Sequence, residues 1–260
     1  MRLHLFEFED QPWLPGFLRN SMTAYLATTY GLTPFPAQWA RHIERLLGHD
    51  RINEIVDLGS GAGGPLPLVL RELKEKGFAV RATLTDLYPN PETELAGDDL
   101  VWWPTPVDAT SVPPQLAGIR TMFSAFHHFR PKAAHRILRD AFEQRRPICI
   151  FEGASRSPAG LAAALLIPLL VLLLTPRVRP VRLAQILFTY LLPILPILIF
   201  WDGLVSQLRS YSMAELSELA QTLPSPDYLW DIGEIRAKGV PAAAYLVGAP
   251  IVRVTPCESR

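Results

Sequence analysis

Residues 52–65 read INEIVDLGSGAGGP, and their reading decides the fold. Ile52–Leu58 has the length and branched apolar content of a buried strand. Glycines follow at 59, 61, 63 and 64, and from Pro65 an apolar-periodic stretch runs to Lys76 before Gly77. A glycine cluster carries meaning when a strand precedes it and a helix follows. Without a Cβ, glycine adopts positive φ and lets a ligand approach the backbone. The free N–H groups at the start of the following helix attract negatively charged groups.

Outward from this turn, strands and helices alternate. Phe78–Asp86 reads as a second strand ending in an acid, and Val101–Asp108 as a third, weakened by Pro104 and Pro106. Thr121–Phe126 reads as a fourth strand, Pro131–Gln144 as a helix, and Pro147–Glu152 as a fifth strand. This cadence predicts an α/β fold with a mostly parallel sheet and helices on both faces. Upstream, residues 1–50 read as a helical cap: Phe17 to Tyr30, stopped by Gly31, then Pro36 to Leu47, ended by Gly48. Downstream, helix Met213–Thr222 precedes extended stretches at Tyr228–Arg236 and Ala243–Val254.

The spacing of Gly59, Gly61 and Gly64 also satisfies the dinucleotide pattern GxGxxG, which would suit an NAD-dependent oxidoreductase. Asp57 argues against that reading. A carboxylate two residues ahead of the first glycine repels a pyrophosphate but attracts an ammonium group. Asp86, at the end of the next strand, is placed to accept the hydroxyls of a ribose.

At these residues the chain resembles the class I S-adenosylmethionine-dependent methyltransferases. Asp57-Leu58-Gly59-Ser60-Gly61-Ala62-Gly63 is similar to the first motif of that family, and Leu84-Thr85-Asp86 to the second. Val107-Asp108-Ala109-Thr110 resembles the third, and Ser124-Ala125-Phe126-His127-His128-Phe129 the fourth. The resemblance implies a Rossmann-like sheet of seven strands, six parallel and the last antiparallel. It further implies an S-adenosylmethionine site in which Asp57 holds the amino acid end, with Gly59, Ser60, Gly61 and Gly63 lining the close approach. Asp86 and Leu87 would border the ribose, Asp108 and Ala109 the adenine, and Ser124 the reacting end. The likeness spans about residues 51–155 and resumes over 203–253.

Methyl transfer from a sulfonium needs alignment more than covalent help, and no metal is expected. A hydroxyl acceptor also needs a base. His127 and His128 follow the fourth strand at the carboxyl edge, where open α/β sheets bind ligands, and either one suits that role. Glu152, at the same edge, and Tyr25, in the cap, are candidates for binding the acceptor.

Residues 156–202 depart from the family pattern. SPAGLAAALLIPLLVLLLTP (157–176) and LAQILFTYLLPILPILIFW (183–201) are uncharged, and Arg177, Arg179 and Arg182 lie between them. Each run is about as long as a membrane-crossing helix. Two crossings would put those arginines outside, against the positive-inside tendency, because the flanking residues belong to one cytosolic sheet. A monotopic hairpin on the cytoplasmic face is the expectation, interrupted at Pro168, Pro193 and Pro196, with the arginines reaching lipid phosphates. A lipid-like acceptor follows from it. A cofactor-sensing membrane adaptor without turnover is the non-enzymatic alternative.

Composition narrows the partners. Lysine plus arginine (25) equals aspartate plus glutamate (25), which suits no nucleic acid. Two cysteines are too few for a disulfide framework or a zinc site. The opening MRLHLFEFEDQPW has no apolar core behind a basic leader, so no secretory signal is expected.

Overall fold

The computed structural model describes residues 2–50, 53–89, 99–179 and 181–251, with side chains omitted at 48–50. Strands β1 (Glu54–Leu58), β2 (Arg81–Thr85), β3 (Leu100–Trp102), β4 (Ile119–Phe123), β5 (Ile148–Phe151), β6 (Tyr228–Ile235) and β7 (Ala243–Pro250) form one sheet. Their order is β3-β2-β1-β4-β5-β7-β6. β1 to β5 pair in parallel, and β7 lies antiparallel between β5 and β6. Six strands therefore share one direction and β7 opposes them, as expected. The strand order reverses between β1 and β4, the switch point where such sheets bind ligands beyond the strand ends.

The two-residue side-chain period of the strands sorts the core into two layers. On one face, Ile55 and Leu84 pack with Trp39 and Ile43 of α2 (Phe35–Asp50) and with Leu66, Val69 and Leu73 of α3 (Leu66–Glu75). Trp39 is wholly buried, 5.5 Å from the Phe35 ring and 5.9 Å from Phe151. On the other face, Val56 and Leu58 join Ile137 and Leu138 of α4 (Pro131–Glu143) and Leu216 and Ala220 of α9 (Met213–Gln221). Each such side chain removed from water stabilises the fold by roughly 1.5–3 kcal/mol.

Several boundaries differ from the sequence reading, each for a physical reason. β3 stops at Trp102 because Pro104 and Pro106 have no N–H to donate. The chain still runs beside β2 there, with Trp103 N–H donating to Leu84 and Val107 N–H to Asp86. β4 ends at Phe123, since Ser124 takes φ +50°. α2 continues through Gly48 to Asp50. A single glycine costs a helix only about 1 kcal/mol, and Gly48 does not end this one. Ile52 and residues 252–254, expected in strands, lie outside the described residues.

The apolar insertion is a set of short helices. They are α5 (Pro158–Ala164), α6 (Ile167–Leu174), α7 (Leu183–Ile186), a π-helical turn at Leu187–Leu191, and α8 (Ile194–Arg209). Pro168 and Pro196 sit in the first turns of α6 and α8, and Pro193 immediately before α8, where proline is tolerated. No single helix among the described residues is long and apolar enough to cross a membrane. Two consecutive pairs have the length and composition together but bend by 48° and 83°. The insertion also runs further than its expected end at 202, because α8 continues to Arg209. It packs on α1 (Gly16–Tyr30), whose Leu18 and Met22 bury against Leu195 and Leu198.

Candidate functional site

The glycine turn is locked from beneath. The Ser60 hydroxyl donates to the Asp57 carbonyl (3.0 Å), as does the Thr85 hydroxyl (2.8 Å), and Ser60 N–H donates to the Thr85 carbonyl (3.0 Å). Gly59, Gly61, Gly63 and Gly64 all have positive φ, so the turn requires glycine along its length. A Cβ built on Gly61 meets nothing within 4 Å. Among the described residues nothing covers the backbone there, which allows the close approach a ligand needs.

Asp57 is buried beneath the turn, and the Thr121 hydroxyl donates to its Oδ1 at 2.7 Å. Burial pushes its carboxyl up to about 7, and the nearby charge of Asp86 adds to the rise. The Thr121 and Ser60 hydroxyls offset the buried charge only in part, and an arriving ammonium would do so better. Asp86 lies just past β2. Its Oδ2 accepts from Gly61 N–H and its Oδ1 from Tyr88 N–H, each at 2.9 Å, so this acid braces the turn. Leu87 beside it is exposed, and so is Asp108, whose Oδ1 accepts from Thr110 N–H at 2.8 Å, while Ala109 is buried.

Ser124 holds a left-handed backbone at φ +50° immediately after β4, a conformation that concentrates at functional positions. Its hydroxyl is hydrogen-bonded to Tyr30, the last residue of α1. Burial raises the Tyr30 hydroxyl far above its ordinary value, so it stays protonated. Gly153 makes room for this ring, since a Cβ there would lie 2.0 Å from the Tyr30 hydroxyl. The cap thus reaches the sheet edge through Tyr30. Tyr25, the residue singled out from the sequence, instead packs with Val171 and Val178 of the insertion.

His127 and His128 lie in a 3-10 turn, Phe126–His128, directly beyond Ser124. His127 is buried, its Nδ1 2.7 Å from Glu152 Oε2, while Glu152 Oε1 accepts the His127 N–H at 2.9 Å. Glu152 therefore holds His127 in place. His128 Nδ1 lies 2.8 Å from Asp10 Oδ1, and its Nε2 lies 3.4 Å from Glu7 Oε2. Burial opposes a charge on His128, yet the Asp10 hydrogen bond and the Glu7 and Asp10 charges prevail and push it up to about 9. Arg209, at the end of α8, donates to Asp10 at 2.8 Å and to the Leu5 carbonyl at 2.7 Å. Arg2 donates to the His127 (2.6 Å) and Phe129 (2.9 Å) carbonyls and lies over the Tyr211 ring.

The structure brings the turn, Asp57, Asp86, Ser124, His127, His128 and Glu152 to one edge of the sheet. Sequence reasoning missed Tyr30, Thr121, Glu7, Asp10 and Arg209. Only Glu7 and Asp10 left any trace, as two of the three acids of the opening segment.

No protein-family model and no curated protein matches the chain. Among solved structures it is similar to the plantazolicin methyltransferase BpumL in complex with a triazolic desmethylPZN analog and SAH. That likeness has 12% identity and a TM-score of 0.53, covering 91% of this chain and 99% of BpumL. LepI in complex with SAM gives 16% identity and a TM-score of 0.48 over 80% of this chain. The chain spans about half of LepI, 46% of its length. Human N-acetylserotonin methyltransferase in complex with SAM gives 12% identity and a TM-score of 0.42, over 83% of this chain and 56% of that one. The chain has the class I methyltransferase fold.

Proposed function

We propose that this protein transfers a methyl group from S-adenosylmethionine to a hydrophobic, lipid-like acceptor at a membrane surface. The observation that carries the cofactor half is a buried carboxylate, Asp57, beneath a positive-φ glycine turn open to a ligand at Gly61. An ammonium group relieves that carboxylate, whereas a pyrophosphate is repelled by it. The fold shared with BpumL is consistent with this cofactor. Asp86 would exchange its bonds to the turn for the ribose hydroxyls, with Leu87 beside it and Asp108 and Ala109 around the adenine. Ser124, Tyr30, His127, His128 and Glu152 stand at the acceptor end.

The acceptor half rests on the insertion. Leu165 (66%), Leu173 (57%), Leu183 (82%), Leu191 (72%) and Ile197 (61%) are exposed there, among several further large apolar residues. Apolar surface of that extent marks an interaction site. Arg177, Arg179 and Arg182 are exposed next to it, each contributing about 1 kcal/mol at an anionic surface. This reading makes the protein monotopic on the cytoplasmic face and its acceptor a fatty acid, isoprenoid, quinone or sterol.

Calorimetry with S-adenosylhomocysteine and with NADH tests the cofactor. Binding of NADH alone overturns the assignment in favour of an oxidoreductase. Radioactive methyl entering any component of a lipid extract supports catalysis, whereas binding with no transfer favours an adaptor. Flotation with anionic vesicles tests the surface. Leu165→Ser/Leu169→Ser/Leu173→Ser should lose it, and equal flotation of variant and wild type removes the membrane reading.

A further inference from the structure

Three ligand-type side chains converge where the N-terminal segment crosses the sheet edge. Glu7 and His127 are each 2% exposed, and the donor atoms of Glu7, His127 and His128 all lie within 4.8 Å of one another. His127 Nε2 is 3.9 Å from Glu7 Oε1, and His128 Nε2 is 3.4 Å from Glu7 Oε2. The His127 Nε2 is buried and has no hydrogen-bond partner among the described residues, although it points into this cluster. Buried polar atoms are normally satisfied, and one left open between two ligand-type groups marks a place for something else.

The outer contacts fit a metal. Each ring has its Nδ1 on a carboxylate, Glu152 for His127 and Asp10 for His128. That arrangement keeps a proton on each Nδ1, makes the ring more basic, and leaves Nε2 as the atom that binds a cation, which on His128 displaces the proton shared with Glu7. Glu152 also anchors the His127 backbone at 2.9 Å, so this ligand is oriented in advance. Charge agrees. Among the described lysines and arginines, Arg209 alone contacts these carboxylates (Glu7, Asp10 and Glu152), at 3.4 Å from Glu7 and 2.8 Å from Asp10. A cation that takes the place of the proton on His128 leaves both rings neutral, and the three carboxylates then exceed Arg209 by two charges, which a divalent ion balances.

We propose that Glu7, His127 and His128 bind a divalent first-row cation of the zinc type. Neutral imidazoles and one carboxylate suit that class of ion. Ligand atoms around tetrahedral zinc stand about 3.4 Å apart. His128 stands at that distance from Glu7 Oε2 and His127 at 3.9 Å from Glu7 Oε1, so the three side chains need to close further on one centre. Three protein ligands leave a position open to water or to an oxygen of a small molecule. The His128 side chain is 28% exposed and forms the entry. In this assignment the histidines hold the cation rather than take the acceptor's proton, and it stands whether or not the chain transfers methyl groups.

The test uses the full chain without a polyhistidine tag, stripped with chelator and titrated with Co2+ by visible absorption, then with Zn2+ in competition. One equivalent should bind. His128→Gln and Glu7→Gln should each weaken binding at least a hundredfold. Glu152→Gln should weaken it about 10–100-fold, while His135→Gln, on α4 and outside the cluster, should leave it unchanged. No one-to-one uptake of either ion by the wild type overturns the proposal, and so does unchanged affinity in His127→Gln/His128→Gln. Should the Glu7 or His127 variants fail to fold by circular dichroism, X-ray absorption on the zinc-loaded wild type decides. Histidine scattering with N/O ligands at about 2.0–2.2 Å supports the site, and its absence overturns it.

Discussion

Asp57→Asn separates a carboxylate that binds an ammonium from one that merely packs. Burial holds the Asp57 carboxyl up at about 7, so near neutral pH about half of the molecules carry the charge. If only the charged form pairs with the cofactor's ammonium, affinity follows the ionised fraction. From pH 7 to pH 5 that fraction falls from about one half to about one hundredth, a roughly 50-fold loss, or about 2.3 kcal/mol. Calorimetry with S-adenosylhomocysteine across this interval should show the slope in the wild type. At pH 7 binding should also release about half a proton, read by repeating the titration in buffers of different ionisation enthalpy. Asp57→Asn should bind more weakly at pH 7 and with little slope. The free chain should respond in the opposite sense. Because the folded value lies above the ordinary 3.8, the folded state holds this proton more tightly than the unfolded chain. Stability contributed at this position is then present below about pH 4 and is lost as pH rises through 7. Removing the charge should stabilise the ligand-free chain at pH 8 by about 1–4 kcal/mol and have little effect at pH 4. Wild-type affinity at pH 7 in Asp57→Asn, or the same pH slope in both chains, refutes the reasoning.

Gly61→Ala and Gly77→Ala both place a methyl group at positive φ with nothing within 4 Å, so both should cost about 1 kcal/mol in urea denaturation. Only Gly61→Ala should also weaken S-adenosylhomocysteine, by tenfold or more, and equal binding of the two variants refutes the placement of the ligand. Asp140→Ala strands the wholly buried Arg120 guanidinium, now paired at 2.7 Å, and should cost about 3–5 kcal/mol by the same measurement. Gly153→Ala drives a methyl group into Tyr30 and should cost about 1–3 kcal/mol. Adding Tyr30→Phe to that chain should recover part of the loss, and strict additivity would show that the two residues do not meet.

The turn and most strands were legible because their signals are local: a run of branched apolar residues, glycines at fixed spacing, an apolar-periodic helix after them. The cap shows where locality ends. Tyr25 and Tyr30 are five residues apart, about 140° around a helix, so one faces the insertion and the other the sheet. Choosing between them requires knowing which side of α1 meets the sheet, and α1 is apolar around much of its circumference. The helix carried past Gly48 is likewise an outcome of packing set against a weak local preference, whereas the strand cut short at Trp102 follows from the local Pro104 and Pro106. The partners of the two histidines were illegible for a different reason. Glu7 and Asp10 lie 121 and 118 residues from His128 in sequence and carry no motif, and only the path of the N-terminal segment brings them there.

That path depends on α8, which joins the apolar surface to the sheet edge. Sixteen residues make a rod of about 24 Å. Near one end, Ile194 and Ile197 face outward, while Leu195 and Leu198 clamp α1. Midway, Asp202 accepts the N–H groups of Phe8 (2.7 Å) and Glu9 (3.0 Å), and at the other end Arg209 grips Leu5 and Asp10. The N-terminal segment that delivers Glu7 to the histidines is thus hung on the helix that emerges from the insertion. Deleting residues 158–200 would remove the first turns of α8 with the exposed leucines. Lost activity in such a chain would not separate a missing membrane contact from a collapsed site. Serine at Leu165, Leu169 and Leu173 leaves α8 whole and changes only exposed positions, which seldom alter stability by more than about 0.5 kcal/mol. If those substitutions abolish flotation yet leave turnover of a detergent-dispersed acceptor intact, the insertion serves delivery of the acceptor. If both fall together with an unchanged denaturation midpoint, α8 couples the surface to the site.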